Sequence, residues 1–224
     1  MEIFVIIVAG GSGTRMQSKV PKQFIELCGK PVVMHTVEKF RKALPHSKMI
    51  LVIPKAHFEL WNTLCIKHNF LSEHTVTEGG ETRYQSVKNG LALVNGKGIV
   101  AIHDAVRPLV NEKVIRESIN SAKKYGSGIP VVNLKDSIRR LTSHNSIAED
   151  RNLFKAVQTP QCFSSDIIKK AYLLEYRQEF TDDASVVEAM GNDVRLTEGN
   201  DENIKITCPL DLLIAEAIIK SKRS

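Results

Sequence analysis

Short apolar runs alternate with helix-length amphipathic stretches along most of this chain, and the alternation limits the folds open to it. Runs that are apolar throughout and rich in β-branched residues are typical of strands covered on both faces. The pattern therefore predicts an α/β fold, with a Rossmann-like, mostly parallel twisted sheet and helices on both faces. The predicted strands are Ile3–Val8, Met49–Ile53, Thr75–Thr77, Gly98–His103 and Ile129–Val132.

One polar stretch, at about residues 133–157, interrupts the alternation. It contains a strand-like run, Ser137–Leu141, and then turn-forming residues at Ser143–Ser146. We expect a β-arm that projects from the sheet. Because a two-stranded arm is marginal by itself, it needs something to pack on, either a partner subunit or its own domain. No linker divides the chain, so residues 1–224 are expected to form one domain.

A glycine-rich loop, Ala9-Gly10-Gly11-Ser12-Gly13-Thr14-Arg15-Met16, directly follows the first predicted strand. Glycines let backbone N–H groups approach an anion closely. The loop has no lysine at the Walker A offset, and Met16 stands where a dinucleotide fingerprint needs glycine or alanine. Two later cations, Arg15 and Lys22, are placed to reach a bound polyphosphate. The loop is therefore interpreted as a phosphate site of a different kind, with a flexible turn as the alternative.

Two further segments follow predicted strands, where ligands bind in parallel sheets, and a third segment carries a lysine within a predicted strand. Gly79 and Gly80 precede a predicted helix and are suited to hold a base or a ribose. Asp104 is either a ligand for Mg²⁺, which prefers oxygen, or a helix cap. Arg107 is either a phosphate ligand or a surface arginine. Lys205, predicted to lie within a short strand in the segment from Gly199 to Thr207, either faces an anion or protects a sheet edge.

Composition excludes several classes of protein. The formal net charge of +6 suits an anionic ligand, but no series of aromatic residues accompanies the basic ones, so we expect no nucleic-acid partner. No apolar run is long enough to cross a membrane, and no signal peptide is recognisable. The four cysteines are spaced irregularly, which disfavours a zinc site or disulfides. We expect a soluble, cytoplasmic protein without a membrane partner.

Taken in order, these segments resemble the 2-C-methyl-D-erythritol 4-phosphate cytidylyltransferase family of the non-mevalonate isoprenoid pathway. The resemblance covers essentially the whole chain, and it is the ordered set that is specific. Its elements are Ala9 to Met16, Pro21-Lys22-Gln23, Gly79-Gly80-Glu81-x-Arg83, His103-Asp104-Ala105-x-Arg107-Pro108, Asp150-Arg151-Asn152, Thr159-Pro160-Gln161, Thr181-Asp182-x-Ala184-Ser185 and Asn203-Ile204-Lys205-Ile206-Thr207.

The resemblance implies a single nucleotidyltransferase domain that joins CTP to the sugar phosphate and releases pyrophosphate. It implies that Asp104 holds Mg²⁺ and that the protein is a homodimer through the β-arm, with Arg151 reaching the neighbouring subunit. The implied catalytic residues are Arg15, Lys22 and Lys205. The implied nucleotide-binding residues are Ala9, Gly10, Gly11, Gly13, Gly80, Glu81 and Ser86. The implied sugar-phosphate ligands are Arg107, Ser137, Arg151 and Thr181.

Two positions depart from the family pattern, and two other functions remain open. Glu81 stands where many members have aspartate, and Ser137 where some have threonine. Each keeps the functional group, so we expect only a change in affinity. The nearest rival is a ribitol 5-phosphate cytidylyltransferase, disfavoured by Asp150-Arg151-Asn152 and by Ala184-Ser185. The rival of another class is a nucleotide-sensing module without turnover, disfavoured by the cations expected around the α-phosphate.

Overall fold

The computed structural model describes residues 1–10 and 20–222. Its strands are β1 Glu2–Val8, β2 Glu26–Leu27, β3 Lys30–Pro31, β4 Lys48–Ile53, β5 Thr75–Glu78, β6 Gly98–Asp104, β7 Ser127–Asn133, β8 Ile138–Leu141, β9 Ser146–Glu149, β10 Lys155–Val157, β11 Gln161–Ser164 and β12 Leu196–Glu198. Its helices are α1 Val32–Ala43, α2 Phe58–Lys67, α3 Arg83–Ala92, α4 Glu112–Tyr125, α5 Ser165–Ala171, α6 Asp183–Glu188 and α7 Pro209–Ser221. All five predicted strands are present, so the predicted α/β class is confirmed.

Eight of the described strands form one mostly parallel sheet. Its order is β10-β7-β11-β6-β1-β4-β5, and β12 also pairs with β7. Strands β6, β1, β4 and β5 are parallel neighbours, whereas β11 runs antiparallel to both β6 and β7. The carboxyl ends of β1 and β6 coincide, because Val8 and Asp104 are register partners. The strand ends singled out from the sequence therefore meet at one edge of the sheet.

Helices cover both faces of this sheet because β1 is apolar on both sides. Val5 and Ile7 contact the cluster formed with α1, α2 and α4. Phe4 and Ile6 contact the opposite cluster, formed with α3, α5 and α6. Each of these four side chains is at most 1% exposed, and full burial of such a side chain contributes about 1.5–3 kcal/mol. This layering holds the carboxyl edge of the sheet rigidly in place.

A third apolar cluster joins the last helix to the edge of the sheet. Ala215 of α7 packs with Leu27, Val106 and the fully buried Ile206. Residues 203–207 therefore run beside the end of β6, but they are not a strand as predicted. The Ile206 N–H donates to the Val106 carbonyl at 2.9 Å. Lys205 is thus presented by a loop that Ile206 anchors, and protection of a sheet edge is not its role.

The polar stretch forms a separate two-stranded hairpin, as expected. Strands β8 and β9 pair with each other in a sheet of their own, from Ile138↔Glu149 to Leu141↔Ser146. The arm is shorter than the expected range, since β10 belongs to the central sheet and pairs with β7. Among the described residues, no helix has both the length and the apolar character needed to cross a bilayer.

Candidate functional site

A cavity of about 340 Å³ opens at the carboxyl edge of the sheet, where β1 and β6 end. Hydrogen bonds tie the segments around it together: Ala9 N–H donates to the Val52 carbonyl at 2.8 Å, and Ala105 N–H to the Val8 carbonyl at 3.0 Å. Many of the residues selected from the sequence converge here. Those that line the cavity are Ala9, Gly10, Lys22, Glu81, Asp104 and Lys205.

Asp104 is the most densely paired of these residues. Its side chain is only 9% exposed, and three cations surround it. Oδ1 lies 3.5 Å from Arg83 Nε, while Oδ2 lies 3.0 Å from Lys205 Nζ and accepts a hydrogen bond from Arg107 Nε at 3.2 Å. Asp104 caps no helix, because α4 begins later with Asn111 as its N-cap. The helix-cap alternative is therefore wrong.

The charges around Asp104 keep its carboxylate ionised. Burial by itself would raise the pKa of Asp104, but the positive charges of Arg83, Lys205 and Arg107 outweigh it and hold that pKa well below its usual range. The cations Lys22, Arg83, Arg107 and Lys205 outnumber the carboxylates Glu81, Asp104 and Asp183 by one, so the surroundings of the cavity carry a small excess of positive charge. Such a site favours a polyanion, and the anion need not protonate in order to bind.

Arg83 joins Asp104 to a second buried carboxylate that the sequence did not single out. Its Nη1 and Nη2 donate to the two oxygens of Asp183, at 2.9 and 2.6 Å. Asp183 is fully buried, and it also accepts a hydrogen bond from the Tyr172 hydroxyl at 2.6 Å. Burial, and then the charge of Asp183, raise the pKa of Tyr172, so the hydroxyl keeps its proton and remains a donor.

His103 is linked to the backbone of Asp104 through the hydroxyl of Thr159. Its Nε2 lies 3.1 Å from the Arg107 carbonyl and its Nδ1 lies 3.0 Å from Thr159 Oγ1, which in turn accepts the Asp104 N–H at 3.2 Å. A neutral ring with its proton on Nε2 satisfies all three contacts. Burial lowers the pKa of His103 to about 4, so the ring is neutral at physiological pH. His103 is a buried structural residue, not an exposed ligand.

The loop after β5 is held against the loop after β1 by Ser86. The Ser86 hydroxyl accepts the Gly80 N–H at 3.0 Å and donates to the Thr82 carbonyl at 3.0 Å. A Cβ at Gly10 would lie 2.8 Å from Ser86 Oγ, so only glycine fits that close approach. Gly10, Gly80 and Ser86 are therefore brought together as predicted, although Ser86 is buried beneath the loop and does not line the cavity.

Several other predicted site residues lie elsewhere. Ser137, Arg151 and Thr181 are exposed and do not line the cavity within this chain. Arg151 lies in a 3-10 turn after the arm, and its Nη1 donates to the Lys135 carbonyl. Arg107 is not a surface arginine: its side chain is 13% exposed, and its Nη1 donates to the Asn203 carbonyl at 2.8 Å. The predicted residues that fall outside the described part of the chain are Arg15, Gly11 and Gly13.

Sequence reasoning also missed residues that hold the site in shape. Gln23 is buried, and its amide donates to the Ala9 carbonyl at 2.8 Å. Asn203 is fully buried and donates to the Thr159 carbonyl at 2.8 Å. Gln23 and Asn203 each belong to a motif of the resemblance, and membership of these motifs is the sequence signal that points to them. Asp183 also stands inside a recognised motif, Thr181 to Ser185, but nothing local indicates its pairing with Arg83, which is 100 positions away.

Among the described residues, two carboxylates line the cavity and could serve a divalent cation, those of Asp104 and Glu81. Within residues 1–10 and 20–222, no group of three or more His, Cys, Asp or Glu side chains is placed to hold a metal ion. A structural zinc site is therefore unsupported there. One or two carboxylates in a cavity that attracts anions match the way in which Mg²⁺ is bound, through one or two carboxylates together with substrate phosphates.

The fold and the cavity define a class of protein: a Rossmann-like α/β protein whose cationic strand-end cavity accepts a phosphate-bearing ligand. Comparison with known proteins gives the family. The family model described as 2-C-methyl-D-erythritol 4-phosphate cytidylyltransferase matches residues 3–221. This chain belongs to that family, which confirms the resemblance found in the sequence.

Relatives and solved structures agree with the family model. A 2-C-methyl-D-erythritol 4-phosphate cytidylyltransferase of Bacteroides thetaiotaomicron is 52% identical over 219 residues, covering 98% of this chain and 100% of the relative. One from Porphyromonas gingivalis is 43% identical over 220 residues, covering 97% and 98%. The crystal structure of a 4-diphosphocytidyl-2C-methyl-D-erythritol synthase from Anaerococcus prevotii is similar with a TM-score of 0.83 at 28% identity, covering 98% and 96%.

Proposed function

We propose that this chain is the enzyme that joins CTP and 2-C-methyl-D-erythritol 4-phosphate, giving 4-diphosphocytidyl-2-C-methyl-D-erythritol and pyrophosphate for isoprenoid precursor synthesis. The observation that carries the proposal is the convergence of Lys22, Lys205 and Asp104 on one cavity at the carboxyl edge of the sheet. Family membership supplies the identity of the two substrates. We propose that residues 1–224 act as one nucleotidyltransferase domain in the cytoplasm.

In the proposed reaction, a phosphate oxygen of the sugar phosphate attacks the α-phosphorus of CTP, and pyrophosphate leaves. Negative charge accumulates around the α-phosphate as the new P–O bond forms and the old one breaks. Lys22 and Lys205, with Arg15, would neutralise that charge. Positioning and charge neutralisation supply most of the catalysis in phosphoryl transfer. The attacking phosphate is already an anion near neutral pH, so no general base is required.

The proposed Mg²⁺ site rests on the chemistry of the Asp104 carboxylate. When held there, the ion would supply positive charge that offsets the charge of the bound phosphates. The cytosine and ribose would contact backbone near Ala9, Gly10, Gly11 and Gly13, and the loop with Gly80 and Glu81. Glu81 lines the cavity, which supports this assignment. Ser86 of α3 would hold that loop in place through its hydrogen bond with Gly80.

For the sugar phosphate we propose four ligands, Arg107, Ser137, Arg151 and Thr181. The exposed position of Ser137 and Arg151 supports a homodimer in which the arm of one subunit completes the cavity of the other. Apolar side chains in and after the arm are exposed in the single chain: Leu141 is 81% exposed and Leu153 is 78% exposed. These exposed apolar side chains are available for burial against a second subunit.

The decisive experiment measures pyrophosphate release with CTP, Mg²⁺ and one polyol phosphate at a time. We expect release with 2-C-methyl-D-erythritol 4-phosphate and little with ribitol 5-phosphate. The opposite preference would contradict the proposed substrate. CTP binding without release from either sugar phosphate would contradict an enzymatic role and support a nucleotide sensor. Analytical ultracentrifugation of the same sample tests the homodimer.

A further inference from the structure

Gln161 is the first residue of β11 and is only 1% exposed, yet both ends of its side-chain amide are hydrogen-bonded. Its Nε2 donates to Asp182 Oδ2 at 2.7 Å, and its Oε1 accepts the Ala184 N–H at 2.9 Å. Because a backbone N–H only donates and an ionised carboxylate only accepts, these two partners fix the orientation of the amide. Gln161 therefore ties the start of α6 to the central sheet.

The segment that Gln161 holds comes directly after Thr181, a proposed ligand of the sugar phosphate. Asp182 Oδ1 accepts the Ser185 N–H at 2.9 Å as the cap of α6, so both oxygens of the Asp182 carboxylate are occupied. Thr181 itself is exposed. Its hydroxyl can therefore reach a ligand while the residue that follows it is held in place.

The start of β11 also contacts Asp104. Gln161 is the register partner of Ile102, which lies two residues before Asp104 on β6. Two residues before Gln161, Thr159 Oγ1 accepts the Asp104 N–H at 3.2 Å. Residues 159–161 therefore bond on one side to a residue that lines the cavity and on the other side to the segment that follows Thr181.

We propose that Gln161 is a positioning residue that places the Thr181 hydroxyl for the sugar phosphate. This inference rests on the proposed function, because it names what orients one ligand of the same substrate. Gln161 is buried, so its influence on Thr181 passes through Asp182 and Ala184 and not through a contact with the substrate. Loss of its two hydrogen bonds should weaken binding of the sugar phosphate more than binding of CTP.

A second buried glutamine provides a matched comparison. Gln23 is also 1% exposed, and its amide donates to the carbonyl of Ala9, a residue proposed to contact the nucleotide, at 2.8 Å. Methionine is an unbranched apolar side chain of similar length, so Gln161→Met and Gln23→Met remove the amide contacts and keep most of the volume. The two substitutions are therefore expected to affect different substrates.

The first test is calorimetric titration of 2-C-methyl-D-erythritol 4-phosphate into the protein with Mg²⁺ and a CTP analogue whose α,β-bridge cannot be cleaved. Because a misplacement of about 1 Å can cost a factor of about 100 in rate, we expect the sugar-phosphate Kd of Gln161→Met to rise about ten-fold. Its Kd for the CTP analogue should stay close to that of the wild type, and Gln23→Met should show the reverse pattern. Equal weakening of both ligands in Gln161→Met would indicate a general structural effect and would overturn the proposal.

Asp182→Asn tests the same link from its other side and leaves the buried glutamine in place. The asparagine amide has one acceptor oxygen, so it loses either the Gln161 amide or the Ser185 N–H as a partner. Removal of a negative charge would by itself favour an anionic ligand, so a rise in the Kd does not come from charge. We expect a rise of about two- to five-fold, less than in Gln161→Met, because the contact with Ala184 remains. An unchanged or lower sugar-phosphate Kd in the folded variants overturns the proposal, and Asp182→Asn decides alone if Gln161→Met does not fold.

A double-mutant cycle shows whether Gln161 acts through Thr181. Thr181→Val removes the hydroxyl and keeps the shape of the side chain, so in that background Gln161→Met should raise the sugar-phosphate Kd less than about two-fold. A full additional loss there, or a wild-type Kd in Thr181→Val alone, would overturn the proposal. If the wild-type protein binds the sugar phosphate but releases no pyrophosphate, the proposed enzymatic function fails, while the titrations still decide the role of Gln161.

Discussion

The Asp104 centre and the β-arm are both rich in charge, but they use it in opposite ways. The Asp104 centre consists of Arg83, Asp104, Arg107, Asp183 and Lys205. It lies at the end of the parallel strands, and its two carboxylates are almost wholly buried. The β-arm, Ile138–Glu149, carries its ion pair between Arg140 and Glu149 in contact with water, the Arg140 side chain being 63% exposed.

The two regions differ in how strongly water screens their charges and in whether those charges find their partners within one chain. Attraction between charges strengthens in the low dielectric of the interior, where an unpaired charge is also costly. Every charge of the Asp104 centre therefore needs its partners within the same chain. The arm has no core of its own, and it exposes apolar side chains such as Leu141. In the proposed homodimer, the Asp104 centre is formed within one chain, whereas the arm would act on the neighbouring subunit.

The largest contrast is expected in stability. Asp183→Ala leaves the Arg83 charge without its bidentate partner, and breaking a buried pair costs about 3–5 kcal/mol. Arg140→Ala removes a surface pair of the arm and should change the free energy of unfolding by less than about 1 kcal/mol. Urea denaturation of both variants measures the difference. An equal loss in the free energy of unfolding for both variants would contradict the idea that burial makes the Asp183 pair the more stabilising of the two.

The next effect concerns turnover. Lys22→Ala and Lys205→Ala should each lower kcat about 10²–10³-fold, because each removes a cation that stabilises charge in the transition state. The KM for CTP should change much less if the interaction forms mainly in the transition state. Lys97→Ala, which removes an exposed lysine from the turn before β6, is the matched control for loss of charge. A kcat like that of the control would remove the residue from the catalytic set.

A smaller loss of activity is expected for a variant in the arm region, and subunit exchange should restore part of it. Arg151→Ala should lower kcat/KM for the sugar phosphate about 10–100-fold, as expected for a lost charge-assisted contact. Mixing it with Lys205→Ala and allowing subunit exchange should restore about a quarter of wild-type activity, because half of the dimers then hold one intact site.

The control for the rescue is a mixture of Lys22→Ala with Lys205→Ala. Both residues line the same cavity of one chain, so no exchanged dimer contains an intact site and no activity should return. Rescue in that control, or its absence with Arg151→Ala, would contradict an arm that acts across the dimer.

The smallest expected effect is the pH dependence of stability. The pKa of His103 is about 4 in the folded protein, against an ordinary value of 6.5. The unfolded chain therefore binds the proton more readily below pH 6.5, and stability should fall by about 2 kcal/mol between pH 8 and pH 5. His103→Gln should flatten this dependence, whereas His144→Gln on the exposed arm should not. Urea denaturation at the two pH values tests the sign.

Much of the fold could be predicted because its signals are local. The strand β1 and the helix α7 are visible in the spacing of apolar residues, and Pro209 begins α7 as expected at a helix N-terminus. The strand expected around Lys205 is absent because apolar neighbours at 204 and 206 also suit a loop packed on α7. The predicted arm extends too far because it includes β10, and a strand of three residues is too short to show a periodic pattern in the sequence.

The site divides in the same way. Lys22, Glu81 and Asp104 could be selected because each stands in or beside a glycine loop or at a strand end. The contact between Arg83 and Asp183 joins residues that only the packing of α3 beside α6 brings together, so no local pattern predicts it. A contact of the arm with a second subunit, as proposed, would likewise depend on two molecules, and the pattern of one sequence does not predict it.

The arm leaves and re-enters the central sheet at adjacent positions, which affects how insertions and deletions in the arm are tolerated. Asn133 at the end of β7 and Lys155 at the start of β10 are register partners in adjacent antiparallel strands. The residues between them therefore form an insertion whose two ends are already neighbours. Changes in the length of the β8–β9 turn need not disturb the pairing of β7 with β10, so the proposed subunit contact can vary while Ser137 and Arg151, the proposed ligands at the two ends of the insertion, are retained.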